Sequence, residues 1–155
     1  MSLTVVAHGE REIVITREFN ASRQMVFDAY TQPALLKRWL GVRKGWTLPV
    51  CEVDLRVGGA YRYVWRKEAK GIDMGMGGVF LEVVPPEKLV CTEKFDDAWY
   101  PGEAVSTVTF NETDGVTTLT MTMRYESTEA RDITMQSGME SGLAESFDTL
   151  ADLLA

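Results

Sequence analysis

Six strand-like segments follow one another between residues 46 and 125, and the connections between them are short. The segments are Trp46–Leu55, Ala60–Arg66, Met74–Val84, Lys88–Phe95, Glu103–Asn111 and Val116–Tyr125. Asp114-Gly115, between the last two, is a strong hairpin signal. Because a parallel return needs roughly a dozen residues or more, consecutive segments must pair antiparallel. The sequence therefore predicts an antiparallel sheet built from successive hairpins.

One further strand and two short helices are predicted before this run. Glu12–Phe19 alternates β-branched and polar residues, as a strand does. Asn20 or Ser22 can cap a first helix. Pro33 suits the first turn of a second helix, which carries Leu35, Leu36, Trp39 and Leu40 and ends at Gly41.

After residue 127 the apolar residues recur every three or four positions, which indicates a helix. The apolar positions are Met135, Met139, Leu143, Phe147, Leu150 and Leu154. With Thr128 as its cap, one helix over Thr128–Leu154 would run ~40 Å. Gly138 and Gly142 would each cost about 1 kcal/mol in its interior, and would allow close approach to the sheet or leave space beside it.

This order of elements predicts an α+β helix-grip fold. A curved antiparallel sheet of six or seven strands would surround the long C-terminal helix, and the two short helices would close one end. The length suits one domain, which we assign to residues 11–155 after a loose N-terminus at 1–10. A cleft is expected between sheet and helix.

Several classes of function are disfavoured by composition. The net charge of −7 repels phosphate backbones, so nucleic acid is not an expected partner. No apolar run approaches ~20 residues, and the first residues lack the pattern of a signal peptide. We therefore expect no membrane span and a cytoplasmic location.

Metal ligands are scarce in this sequence. His8 is the single histidine, and Cys51 and Cys91 lie apart in different strands. These residues do not make a closed ligand set, so we expect two free thiols, no metal and no cofactor.

A basic group interrupts the acidic composition just after the predicted short helices. It consists of Lys37, Arg38, Arg43 and Lys44. A solvated loop and an anion-binding rim are both open interpretations.

Aromatic residues and methionines supply the candidate ligand site. In Ala60–Arg66, the period of two puts Tyr61, Tyr63 and Trp65 on one face, as the wall of a cavity or as ordinary core. Methionines line adaptable binding surfaces but also fill irregular cores. The full set of cavity candidates is Trp39, Tyr61, Tyr63, Trp65, Met76, Phe95, Trp99, Met121, Met123, Met135, Met139 and Leu143.

Ionisable residues give no recognisable catalytic constellation, and we assign no catalytic residue. Asp54 and Arg56 flank a turn and are expected to form a structural pair. Glu93 faces either solvent or the cleft; in the cleft, burial would raise its pKa and suit it to acid–base chemistry.

Four segments carry a resemblance to a known superfamily. They are ITREFNASRQMVFDAYTQPALLKRWLG (15–41), VDLRVGGAYRYVW (53–65), GGVFLEVVPPEKLVCTEKF (77–95) and GMESGLAESFDTLADLL (138–154). Together they resemble the SRPBCC (START/Bet v 1-like) superfamily, in the branch of the Hsp90 ATPase activator's C-terminal domain. The resemblance runs from residue 11 to the C-terminus and implies the helix-grip fold.

The resemblance implies three kinds of function. Members bind hydrophobic molecules in the cleft, and we expect a small lipidic or aromatic ligand here. Some members are cyclases or dehydratases, for which Tyr61, Tyr63 or Glu93 would supply the acid or base. One branch stimulates Hsp90, but with a separate N-terminal domain, so we expect no stimulation by this chain alone. The residues do not specify an oligomeric state, and a dimer is compatible with them.

Overall fold

Eight strands form one antiparallel sheet in the computed structural model, which describes residues 2–42 and 45–155. The strands are β1 Thr4–His8, β2 Glu12–Phe19, β3 Trp46–Val53, β4 Ala60–Lys67, β5 Ile72–Val84, β6 Lys88–Phe95, β7 Ala104–Thr113 and β8 Val116–Arg124. Their order in the sheet is β1-β2-β8-β7-β6-β5-β4-β3. Strands β3 to β8 pair consecutively and antiparallel, so the prediction from connection length is confirmed.

The first strand corrects the predicted strand count of six or seven. Residues assigned to a loose N-terminus form β1, which pairs with β2 from Thr4 opposite Thr16 to His8 opposite Glu12. The His8 ring lies 3.0 Å from the Glu12 carboxylate beside this hairpin turn. β1 is an edge strand and mostly exposed, so its sequence carries little alternation of apolar and polar residues.

Two short helices follow β2, as predicted. They are α1 (Arg23–Thr31), whose Ser22 cap accepts a hydrogen bond from the Met25 amide, and α2 (Pro33–Leu36), with Pro33 in its first turn. The second helix is shorter than predicted. It ends at Leu36, and Trp39 lies in the turns that follow.

The C-terminal helix is broken into two, which corrects the prediction of one continuous helix. α3 spans Thr128–Met135 and is capped by Ser127 rather than Thr128. α4 spans Met139–Leu154, and Gly138 precedes it in the left-handed conformation with φ 82°. The break changes the direction of the backbone between Met135 and Met139, two residues whose spacing alone fits a single helix.

The inner face of the sheet packs against the helices, and the outer face carries ion pairs. Outward-facing arginines of β4 pair with Asp96 and Asp73. On the inner side, the Trp39 indole lies between Tyr30 and Phe147, with ring centroids 5.6 and 5.9 Å away. This aromatic cluster fixes α4 against the turn after α2.

Two other predictions concern the basic group and membrane-spanning helices. Of the basic group, Lys37 and Arg38 are exposed in the turn after α2, whereas Arg43 and Lys44 lie outside the described residues. Within the described ranges, no helix has the length and apolar character that crossing a bilayer requires.

Candidate functional site: a cavity between sheet and helices

A cavity of about 710 Å³ lies between the inner face of the sheet and the helices. Every strand from β2 to β8 contributes a residue to its wall, as do the segments from α1 to α4. Seven adjacent strands would span roughly 29 Å if flat, at about 4.8 Å between neighbours. Strands so far apart can line one cavity because the sheet curves around it.

The aromatic face of β4 forms one wall of this cavity. Tyr61, Tyr63 and Trp65 all line it, with neighbouring ring centroids 5.1 and 5.8 Å apart. Tyr63 is opposite Met76 on β5, and Met76 is opposite Phe95 on β6. The strand register therefore continues the apolar wall across three strands.

Eleven of the twelve cavity candidates lie in the wall. They are Trp39, Tyr61, Tyr63, Trp65, Met76, Phe95, Trp99, Met121, Met123, Met139 and Leu143. Met135 is the exception: it packs, partly buried, against the core and does not line the cavity. It is the last residue of α3, and its neighbour Thr134 lines the wall instead.

The opening of the cavity is marked by wall residues that are exposed to solvent. Met74 and Trp99 are 39% and 42% exposed, and Ser137, Gly138 and Ser141 are also exposed. The Trp99 ring packs on Phe95 with centroids 4.4 Å apart. The entrance therefore lies between the start of β5, the loop after β6 and the break between α3 and α4.

The turn after α2 closes the cavity against β4. The Trp65 indole N–H donates to the Leu40 carbonyl at 2.9 Å. The Gly41 amide donates to Ser146 Oγ on α4 at 3.1 Å. Gly41 has φ 65°, and a Cβ there would lie 2.2 Å from the indole nitrogen of Trp65. Only glycine satisfies both the left-handed backbone and this close approach.

Glu93 faces the cavity, which decides the alternative left open by the sequence. On β6 it lies between Cys91 and Phe95 on one face of the strand, and all three line the cavity. Glu93 is partly buried. Its carboxyl makes no hydrogen bond or ion pair with another residue of the described ranges. Burial raises the pKa of this carboxyl to about 7.

The strand pattern contains a signal for this orientation. Phe95 is a cavity candidate from its aromatic character, and β6 alternates its side chains between the two faces. Glu93, two residues earlier, must share the face of Phe95. Glutamate side chains are usually exposed to solvent because they are charged. For Glu93 this general preference predicts the opposite face from the one that strand alternation predicts.

Tyrosines surround Glu93. Tyr30, Tyr100 and Tyr125 all line the cavity, and none of them is among the twelve cavity candidates. Tyr100 is 4% exposed, and its buried hydroxyl has no hydrogen-bond partner in the described part of the chain. Tyr125 interacts with the Thr134 side chain. Tyr61 donates to the Thr92 carbonyl at 2.5 Å.

Burial raises the pKa of these phenols well above its ordinary value, and the negative charge of Glu93 raises it further. Burial also raises the pKa of the Cys91 thiol to about 12. The phenols and the thiol therefore stay protonated near neutral pH. Among the described residues of the wall, Glu93 is the only ionisable group whose charge changes near neutral pH.

Two further predictions concern the Asp54–Arg56 pair and the two cysteines. Asp54 and Arg56 form the expected pair, with Arg56 Nε 2.9 Å from the carboxylate. Cys51 and Cys91 are free thiols. No three potential metal ligands (His, Cys, Asp or Glu) come together within residues 2–42 and 45–155.

Comparisons with known proteins support the architecture. The family model for "Activator of Hsp90 ATPase homolog 1-like protein" matches residues 20–155. A structure from Rhodobacter sphaeroides has a TM-score of 0.93 at 29% identity, covering 99% of this chain and 98% of that chain. A structure from Chromobacterium violaceum has a TM-score of 0.80 at 30% identity, with 93% and 96% covered.

An HSP90 activator from Plasmodium falciparum is also similar, with a TM-score of 0.66 and 24% identity over 93% of this chain and 96% of that chain. At this identity the likeness concerns the fold alone. No curated protein matches the sequence.

Proposed function

The chain belongs to the Activator of Hsp90 ATPase homolog 1-like family, and from this premise we propose that it binds a small, predominantly apolar molecule in the cavity between sheet and helices. The observation that carries the proposal is a cavity of about 710 Å³ that the chain's own side chains leave unfilled. Native interiors hold few voids larger than a water molecule. Ligand pockets are typically about 300–1,000 Å³.

The wall indicates the class of ligand. Tyr61, Tyr63 and Trp65 present a continuous aromatic surface, which suits a flat aromatic molecule or a lipid chain. Met76, Met121 and Met123 add flexible side chains that can adjust to the shape of the occupant. Free thiols at Cys51 and Cys91 are consistent with a cytoplasmic site of action.

Native mass spectrometry of the protein purified from its own organism tests this proposal. We expect a co-purifying small molecule at one copy per chain. The same purification of Met139→Trp, whose indole would occupy the cavity, should lose that molecule. Met135→Trp, which changes a methionine four residues earlier and outside the wall, should retain the molecule. Retention of the molecule by Met139→Trp would contradict binding in this cavity.

Acid–base catalysis is a second candidate, favoured by one observation. An unpaired carboxyl with a pKa of about 7 is matched to proton transfer near neutral pH, which suits Glu93 to cyclisation or dehydration of a bound ligand. Recovery of a ligand together with its cyclised or dehydrated product would support this candidate. Conversion at an unchanged rate by Glu93→Gln would contradict it.

We expect no stimulation of Hsp90 by this chain alone, although the family match supports a co-chaperone role. Such a role concerns the surface of the protein and is compatible with an occupied cavity. Hsp90 ATP turnover with one equivalent of added protein tests the expectation directly, and a clear rise in the rate would contradict it.

A further inference from the structure

The end of the cavity around Glu93 contains polar groups that the fold does not satisfy. The Glu93 carboxyl has no partner in the described ranges, and the buried Tyr100 hydroxyl has none either. A partly buried carboxylate without a partner destabilises a folded protein, and so does a buried hydroxyl without a partner. Two such groups in a predominantly apolar wall indicate that a polar group of the occupant lies beside them.

The electrostatic character of this end selects the sign of that polar group. Glu93 contributes a negative charge when ionised. Aromatic rings contribute negative faces, which attract cations. Among residues 2–42 and 45–155, no Lys, Arg or His lines the cavity. An anionic group would meet repulsion without a compensating cation from these residues.

A neutral polar group explains less of the arrangement than a cation does. A neutral ligand would gain from apolar burial, but it would leave the cost of an ionised, buried Glu93 in place. A cation within hydrogen-bonding reach of the carboxylate would offset that cost with a charge-assisted hydrogen bond. The aromatic rings around it would stabilise the same charge.

We propose that the occupant of the cavity is an apolar molecule with a protonated amine, which pairs with Glu93 while its apolar part lies against the aromatic wall of β4. This inference rests on the proposed ligand-binding function and specifies its ligand class. Glu93 sets the sign of the charge, and Tyr61, Tyr63 and Trp65 hold the apolar part.

Binding of such an amine depends on pH through Glu93. The titratable groups that face Glu93 are Tyr30 from α1, Tyr61 and Tyr63 from β4, Cys91 from β6, and Tyr100 and Tyr125 from the loops. All six remain neutral near pH 7, because burial raises the pKa of each. As the pH rises through about 7, Glu93 ionises and amine affinity should increase.

Three probes with one ring system and different charge test the inference: 2-naphthylmethylamine, 2-naphthylmethanol and 2-naphthoate. Calorimetric titration at pH 8 should rank their affinities in that order, with the amine about tenfold or more tighter than the alcohol, a difference of about 1.4 kcal/mol. Glu93→Gln should remove this preference, so that the ratio of amine to alcohol affinity falls to about one. Glu52→Gln, on the exposed outer side of β3, should preserve it.

The outcomes separate the inference from the proposed function. Equal binding of amine and alcohol by the wild-type protein would overturn the cationic ligand and leave apolar binding intact. Tighter binding of naphthoate would overturn it as well. Failure of all three probes to bind would overturn the proposed function and the inference together. A rise in amine affinity between pH 6 and 8, absent in Glu93→Gln, would support the inference.

Discussion

The indole N–H of Trp65 donates to the Leu40 carbonyl at 2.9 Å and thereby joins the aromatic strand β4 to the turn after α2. The contact places the Trp65 ring directly over Gly41, where there is no room for a Cβ. A side chain of the cavity wall thus also fixes the segment that closes the cavity. The cavity wall and the packing of the fold are coupled at this point.

Gly41→Ala should lower the free energy of unfolding by about 2–5 kcal/mol. The left-handed backbone costs an alanine roughly 1–2 kcal/mol, and the overlap with Trp65 adds about 1–3 kcal/mol. Gly71→Ala is the matched control, because Gly71 has φ 61° but a Cβ at that position would have no neighbouring atom within 4 Å. Urea denaturation measures both. Equal losses for the two variants would mean that the Trp65 contact contributes nothing.

Glu93→Gln should stabilise the protein at pH 8 and lose that advantage toward pH 4. The folded pKa of about 7 lies above the ordinary value of 4.5, so the folded protein holds this proton more tightly than the unfolded chain does. Wild-type stability is therefore fully present below pH 4.5 and falls as the pH rises through about 7. The full shift corresponds to roughly 3 kcal/mol.

Urea denaturation across this pH range checks the prediction. Glu52→Gln, at an exposed position on β3, is the control. A stability difference between Glu93→Gln and wild type that does not change with pH would show that Glu93 is not buried in the cavity.

Gly138→Ala should destabilise the protein by about 1 kcal/mol, because φ 82° strains an alanine. In one continuous helix the same substitution would instead stabilise by about 1 kcal/mol. The sign therefore distinguishes a broken from a continuous C-terminal helix. Ser141→Ala, at an exposed position inside α4, is the control and should stabilise by about 0.5 kcal/mol or less. Thermal denaturation of the three proteins gives the comparison.

The cavity wall could be predicted because strand alternation fixes the face on which each side chain lies. Tyr61, Tyr63 and Trp65 needed no information beyond their spacing of two. The same rule applied to β6 orients Glu93 toward the cavity, but the general preference of charge for solvent opposed it. Alternation is a geometric constraint of the strand, whereas the preference for solvent is an average over proteins.

The break in the C-terminal helix could not be predicted from periodicity. Met135 and Met139 are four residues apart, which continues the apolar stripe across residues 136–138. The helix breaks because Gly138 adopts the left-handed backbone conformation. A glycine in the sequence is compatible with a broken helix and with a continuous one. Met135 was consequently assigned to the cavity, although it packs beside it.

The volume of the cavity is a property of packing and has no sequence pattern. Apolar side chains such as Met121 and Leu143 are equally suited to filling a core and to lining a void. Whether these side chains contact one another or leave a void between them depends on the curvature of the sheet and on the position of α4. The edge strand β1 was missed for a different reason, since its exposed residues lack the alternation that burial imposes.

The most direct test of a ligand-binding cavity compares the neutral fluorescent probe N-phenyl-1-naphthylamine in Met139→Trp and Met135→Trp. Met139 lines the cavity and Met135 does not, while both are partly buried methionines beside the break. We predict saturable, one-to-one binding by wild type and Met135→Trp, and loss of binding in Met139→Trp with a melting temperature near that of wild type. Overpacking a filled core would instead cost about 1–3 kcal/mol. A strongly destabilised Met139→Trp, or one that binds the probe as wild type does, would contradict the cavity.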